Sequence, residues 1–218
     1  MSFIFDTTKK IVSQLPSGVS LVAATKTRVV AEIEEAIAAG VAAIGENYVQ
    51  EAQEKFSVIG NKVKWHLIGH LQKNKAKFAV KVFDMIETLD SVELAGALNK
   101  ECKKINKIMP VLIEVNSACE PQKAGVLPDR VQDLLCGVAC FGNIKVMGLM
   151  TMGPLMDEPE VMRPFFKKTK EIFDAIRADY PSNEEWKYLS MGMSDSYKIA
   201  IEEGANIVRV GTAIFGRR

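Results

Sequence analysis

The chain has 218 residues, of which 48% are hydrophobic and 25% are charged, so it carries enough apolar material for one substantial core. Its formal net charge is +1, which excludes the strong positive field that draws a protein to nucleic acid or to an anionic membrane. The composition therefore predicts a single domain over residues 1–218, with no nucleic acid or membrane as partner, and leaves a small anionic ligand open.

The cysteines and the N-terminus indicate the compartment. The chain contains four cysteines, at Cys102, Cys119, Cys136 and Cys140. They are too few for a disulfide-stapled secreted domain, and we expect free thiols. The last two are separated by three residues, which is not a common zinc spacing, and the chain has only two histidines, so we expect no metal site. The N-terminus lacks a secretory signal and no apolar run could span a bilayer, which predicts a cytoplasmic protein.

Short apolar runs alternate with amphipathic helical stretches along the whole chain. An N-terminal helix is predicted near Ser2–Leu15. Eight strands are predicted at Val19–Thr25, Val41–Gly45, Lys64–Gly69, Asp84–Leu89, Met109–Val115, Lys145–Met150, Trp186–Ser190 and Ile207–Val210. Helices between them are predicted at Val29–Ala39, Tyr48–Val58, Asp129–Leu135 and Val161–Ala178. Three further helices are predicted, of which one begins at Lys73, one ends at about Lys104 and one ends at Glu203.

Polar residues predict how three of these helices begin. Asp90, with Glu93 three residues later, is a capping pair, and Ser194 caps the helix that runs to Glu203. Asn47, with Gln50, is either a similar cap or a functional residue.

Eight strands that alternate with helices, without a Pro- or Ser-rich linker, favour one closed unit. We therefore predict an α/β fold, a (β/α)8 TIM-like barrel with an extra N-terminal helix. The alternative is an open doubly wound sheet, which would need a point of strand reversal that the pattern does not reveal.

Lys26 directly follows the first predicted strand, at the end of the barrel where active sites form. We expect the barrel mouth to enclose it partly, and desolvation there would free its amine to form an imine with an aldehyde. The alternative is a surface lysine with no chemical role.

The ends of the last two strands are rich in glycine and hydroxyl groups, at Ser190–Ser194 and Gly211–Thr212. Barrels often bind phosphate at these two ends through backbone N–H groups and a helix N-terminus, next to the first strand around the closed ring. The alternative is that the glycines serve tight turns. Arg209 needs a partner or a function if it points inward, whereas an outward Arg209 would pair on a helix, and His66 is either functional or a satisfied core histidine.

Six segments together resemble the pyridoxal phosphate homeostasis proteins, whose fold is like the N-terminal barrel of alanine racemase. They are Leu21–Thr27, Gly45–Glu51, Trp65–Lys75, Met147–Met152, Leu189–Asp195 and Arg209–Gly216. They follow the family's order over nearly the whole chain. The segment Asn116–Gly125 keeps the family's Glu, Lys and Gly but differs at Ala118–Cys119 and Pro121–Gln122.

The resemblance implies that pyridoxal 5′-phosphate (PLP) is the cofactor and that Lys26 carries it as a Schiff base. It also implies cofactor-binding roles for nine further residues. Phosphate would be held by Ser190, Met191, Gly211 and Thr212, the pyridine nitrogen would face Arg209, Asn47 would lie near the ring, and His66, Met147 and Met193 would line the pocket.

The resemblance also implies a function in vitamin B6 homeostasis, without a dedicated reaction and without catalytic residues. A permanently charged Arg209 disfavours protonation of the pyridine nitrogen, which weakens carbanion chemistry. Racemisation needs a second proton-transfer group besides Lys26, and we expect no second domain to supply it, because the chain ends at Arg218 directly after strand eight. The alternatives are a small PLP-dependent amino-acid racemase and an aldolase-type barrel. We expect a monomer, with PLP-dependent apoenzymes as possible partners.

Overall fold

The computed structural model describes residues 2–154, 158–179 and 184–217. Its eight strands form one closed barrel in chain order, and every neighbouring pair is parallel. The strands are β1 (Ser20–Ala24), β2 (Ala43–Glu46), β3 (Lys64–Leu67), β4 (Met85–Leu89), β5 (Met109–Glu114), β6 (Ile144–Met150), β7 (Tyr188–Ser190) and β8 (Ile207–Val210). The predicted (β/α)8 barrel is therefore confirmed.

Helices separate the strands as the alternation predicted. They are α1 (Phe3–Gln14), α2 (Val30–Ala38), α3 (Val49–Ile59), α4 (Ala76–Val82), α5 (Val92–Lys104), α6 (Val131–Val138), α7 (Arg163–Asp179), α8 (Tyr197–Glu202) and α9 (Thr212–Phe215). Single 3₁₀ turns at Gly60–Lys62, Lys73–Lys75, Pro128–Arg130 and Pro159–Met162 lie next to four of them. The extra N-terminal helix is α1, which Ser2 caps by accepting a hydrogen bond from the amide of Phe5 (3.2 Å).

Strand alternation divides the core into two layers. Side chains on the inner face of the barrel pack together in one cluster, formed by Val22, Ala43, Ile68, Met85, Leu112, Met147, Met150 and Ile207. Their neighbours along the strands, such as Val111 and Ile113 on β5, belong to the larger layer between the barrel and the helices.

A bulge in β6 is built around Gly148. The register against β5 shifts between Val111 and Ile113, and Gly148 has a positive φ of 146°. A Cβ atom at this position would lie 1.8 Å from the carbonyl oxygen of Tyr188, so only glycine lets β7 approach.

Three helices begin later than the sequence pattern suggested, so none of the three candidate residues occupies the N-cap position. Ser91, not Asp90, caps α5 by accepting from the amide of Leu94 (3.3 Å). Tyr48 rather than Asn47 occupies the N-cap position of α3.

The third candidate is Ser194, which does not cap α8, because Ser196 occupies the N-cap position of that helix.

Within the described ranges, no helix combines the length and the apolar character that crossing a membrane requires.

Candidate functional site

The predicted lysine and the predicted phosphate-binding residues are neighbours where β1 and β8 end. These two strands pair directly, and a Cβ atom at Gly211 would lie only 3.2 Å from the carbonyl oxygen of Ala24. Lys26 follows β1 two residues later. Its side chain is exposed, so the expected partial enclosure, and with it the argument that desolvation frees the amine, is wrong.

A buried ion-pair cluster holds the backbone on both sides of Lys26. The ammonium of Lys55, on α3, donates to the carbonyl oxygen of Thr25 and to carboxylate oxygens of Glu46 and Glu51, each at 2.7 Å. The hydroxyl of Thr25 donates to Glu46 (2.6 Å), and the amide of Thr27 donates to Glu51. Burial raises the pKa of Glu46, although Lys55 and Thr25 oppose this. The cluster fixes the turn that presents Lys26.

Two backbone amides at the end of β8 point at one oxygen atom. The amides of Gly211 and Ala213 both donate to the hydroxyl of Ser194, each at 3.2 Å. Ser194 therefore caps α9 instead of the helix that follows it in sequence. Converging amides of this kind can also hold a phosphate oxygen.

A hydrogen-bonded chain of polar side chains crosses the inside of the barrel. His66 Nδ1 lies 2.6 Å from one carboxylate oxygen of Glu87, and the hydroxyl of Ser190 donates to the other (2.6 Å). Ser190 in turn accepts from Arg209 (2.6 Å), whose second terminal nitrogen donates to the carbonyl oxygen of Thr151 (2.8 Å). The structure therefore places Arg209 inside the barrel and pairs it there.

These partners determine the charge of Glu87. Burial alone would raise its pKa, but the hydrogen bond and charge of His66, the charge of Arg209 and the Ser190 hydroxyl together hold it below its ordinary value. Glu87 is therefore an internal carboxylate that balances the Arg209 cation, from which it lies 3.9 Å.

Glu114, the last residue of β5, is a second buried carboxyl group with a different environment. It is 6% exposed, and its Oε2 atom has no hydrogen-bond partner in the described part of the chain. Burial and the nearby charge of Asp90 raise its pKa to about 7, while Arg209 acts in the opposite direction.

The structure separates the ten predicted site residues into three groups. At the C-terminal ends of the strands lie Lys26, Asn47, Met193, Gly211 and Thr212. Inside the barrel lie His66, Met147, Ser190 and Arg209. Met191 stands apart, because its amide donates to the carbonyl oxygen of Ile207 (3.0 Å) and its side chain packs in the outer layer of the core.

His66 also reaches the opposite end of the barrel. It lines a cavity of about 490 Å³ at the N-terminal ends of the strands, together with residues of α1 and the turn that follows it. The internal chain therefore runs from this cavity to the side of the barrel where Lys26 lies.

Sequence reasoning assigned no role to Glu87 or Glu114, and it placed Ser194 in the predicted phosphate segment without identifying its contacts. Glu87 lies within the apolar run of β4, which is the same signal that drew attention to Arg209 in β8. Ser194 carried a hydroxyl signal that was assigned to the wrong helix, whereas nothing in the sequence marked Glu114 as unpaired.

One protein family matches nearly the whole chain. The family described as "Alanine racemase, N-terminal domain" matches residues 4–218. A crystal structure of alanine racemase from E. faecalis superimposes with a TM-score of 0.76 at 18% identity, covering 99% of this chain and 58% of that one, which shows a shared fold.

Relatives with higher sequence identity show a more specific family. The pyridoxal phosphate homeostasis protein of Aquifex aeolicus is 41% identical over 199 residues, which are 91% of this chain and 86% of the relative. The protein of the same name from Synechocystis is 35% identical over 96% of both chains. PipY of Synechococcus elongatus, whose structure has PLP bound, superimposes with a TM-score of 0.90 at 33% identity, covering 98% of this chain and all of that one. The chain belongs to the family of pyridoxal phosphate homeostasis proteins.

Proposed function

We propose that this protein binds PLP at the C-terminal mouth of the barrel, as a Schiff base on Lys26, and serves intracellular vitamin B6 homeostasis. One observation carries the proposal. Lys26 and the converging amides of Gly211 and Ala213 follow adjoining strand ends, so an aldehyde and a phosphate on one small molecule could be held together. The PLP bound to PipY supports the same cofactor.

The residues present fit this cofactor. A side chain at Gly211 would crowd the carbonyl oxygen of Ala24, and the bare backbone at that strand end suits contact with a phosphate. In this structure the hydroxyl oxygen of Ser194 accepts from the amides of Gly211 and Ala213, and the exposed residue Thr212 lies between them in sequence. Asn47 and Met193 would form pocket walls at the strand ends, and Arg209 would face the ring nitrogen from inside the barrel.

When bound, PLP supplies an electron sink, whose strength depends on the group at its pyridine nitrogen. Arg209 stays cationic inside the barrel and is held by Ser190 and Thr151, so it disfavours a protonated ring nitrogen. Racemases that resemble this barrel tolerate the same arrangement, so the support for a protein that holds and releases the cofactor comes from the names of the relatives. We propose a cytoplasmic monomer that delivers PLP to PLP-dependent apoenzymes.

The first test is the visible absorption spectrum of the purified protein, followed by borohydride reduction and peptide mass mapping. We expect a yellow protein with the reduced pyridoxyl group on Lys26. A protein that stays colourless after PLP is added would overturn the proposal.

Two variants sharpen this test. Lys26→Ala should abolish the covalent adduct while circular dichroism shows an intact fold. Thr212→Val should weaken PLP retention by the value of one hydrogen bond to a charged group, about 1.5–3 kcal/mol, as measured by equilibrium dialysis. An unchanged affinity would remove Thr212 from the phosphate site.

The main alternative function is amino-acid racemisation. Exchange of the α-proton of alanine or serine in heavy water, followed by NMR, separates it from the proposal. Exchange at the rate of an enzyme would overturn the non-catalytic role and leave PLP binding intact.

A further inference from the structure

Glu114 is a buried ionisable group that the proposed cofactor site leaves unexplained. It ends β5 at the same side of the barrel as Lys26, and it has the strand parity of Leu112, which packs inside the barrel. Its side chain therefore points inward near the mouth, where a bound ligand would lie.

The carboxyl group of Glu114 has unused hydrogen-bonding capacity. Its Oε2 atom is buried without a partner among the described residues, which is costly for a carboxylate. The loop before Val126 packs against this residue. The amide of Val126 donates to the backbone oxygen of Glu114, and a Cβ atom at Gly125 would lie 3.1 Å from Glu114 Cγ.

The charged groups around Glu114 belong to three elements. Asp90, from the segment after β4, pairs with His70 (3.2 Å), and Arg209, from β8, is held on its other side by Glu87 and Ser190. The third element is the segment of residues 120–126, which packs against Glu114. It carries two opposite charges that pair with each other, those of Glu120 and Lys123. Arg209 is thus the cation that favours the ionised form of Glu114, and it is shared with Glu87.

We infer that Glu114 is the proton-exchanging residue of the cofactor site, and that its carboxyl group takes up a proton when an anionic ligand enters the barrel mouth. The inference rests on the proposed function, because it names PLP as the ligand. A phosphate ester brings close to two negative charges. These charges make the electrostatic potential at the barrel mouth more negative, which favours the neutral form of the Glu114 carboxyl group.

The raised pKa makes this exchange relevant near neutral pH. With a pKa of about 7, the free protein holds Glu114 in both forms, and a small change in the local field converts one into the other. Binding that takes up a proton weakens as the pH rises, so the protein would hold its ligand less tightly in an alkaline medium.

The test uses 4-deoxypyridoxine 5′-phosphate, which lacks the aldehyde and so separates Glu114 from proton changes at Lys26. Its dissociation constant is measured in the full-length protein from about pH 6.5 to about pH 8.5. We expect the wild-type affinity to fall up to about tenfold over this range. The variant E114Q should lack this fall, whereas the matched control E93Q, which removes an exposed carboxylate of α5, should keep it.

An infrared measurement on the wild-type protein gives an answer even if E114Q does not fold. At about pH 7, ligand binding should increase the band of a protonated carboxylic acid. The same pH dependence in E114Q as in the wild type, or no gain of that band, would overturn the inference while leaving the proposed function standing. If neither PLP nor the analogue binds the wild type at any pH, the proposed function fails, and the inference fails with it.

Discussion

The surroundings of Glu87 on β4 and of Glu114 on β5 give two buried carboxyl groups of one barrel opposite properties. Both side chains are buried. Glu87 has a hydrogen-bond partner for each carboxylate oxygen, whereas Glu114 Oε2 has none in the described chain. The pKa of Glu87 is accordingly lowered and that of Glu114 is raised to about 7. Burial acts to raise the pKa of both groups, and only at Glu87 do the partners outweigh it.

The largest effect is expected from removing the charge of Glu87. The variant E87Q leaves the Arg209 guanidinium buried without its counter-ion, which should lower the free energy of unfolding by about 3–5 kcal/mol. Urea titration followed by circular dichroism measures it. The double variant E87Q/R209M should recover much of the loss, and a loss under about 1 kcal/mol in E87Q would show that the pair is not the anchor of this region.

The pH dependence of stability should reveal Glu114 next. Its pKa is raised from 4.5 to about 7, so across that window the folded state holds a proton that the unfolded state releases. Stability from this residue is present below the lower value and is lost as the pH rises, by about 3 kcal/mol in total. The variant E114Q should lack this loss when unfolding curves at pH 5 and pH 8 are compared, and equal losses in both proteins would contradict the assignment.

A smaller effect is expected when Glu87 loses one of its partners. The substitution His66→Phe removes a hydrogen bond to a buried carboxylate and should cost about 2 kcal/mol in unfolding free energy. His70→Phe is the matched control, because the exposed His70 contacts Asp90, and a surface contact of this kind is worth less than about 1 kcal/mol. Similar costs for both variants would argue that His66 fills space only.

The smallest effect concerns the neighbour that raises the pKa of Glu114. Replacing the like charge, as in Asp90→Asn, should lower the titration midpoint of Glu114 by a few tenths of a unit, about 0.5 at most. Carbon-13 NMR of labelled glutamate carboxyl groups measures this midpoint. A midpoint that does not move would leave burial as the only cause of the raised pKa.

Sequence reasoning reached the fold because the signals were repeated along the chain. Eight apolar runs separated by helical stretches define the barrel even where single boundaries are wrong by a few residues. Lys26 and Gly211 could be placed together because parallel strands of a closed barrel end on the same side, and β8 pairs with β1.

The contacts between distant side chains could not be predicted in the same way. Strand parity left the direction of Arg209 undecided, and only its contacts with Ser190 and Thr151 resolve it. The hydroxyl of Ser194 was assigned to the next helix in sequence, although the amides it accepts from belong to residues 17 and 19 positions later. Such partners depend on how the barrel closes, and no local pattern records that.

Gly148 has a consequence for the tolerance of the barrel to substitution. An open sheet can absorb the displacement of one strand at its free edge, whereas a ring of eight strands has no edge at which an error can end. A side chain at Gly148 would push the backbone of Tyr188 away from β6, and the other six strands would have to share that displacement or break a pair. One missing methyl group on β6 therefore helps to keep the circumference of the whole barrel, and with it the spacing between the ends of β8 and β1 where Lys26 and Gly211 meet.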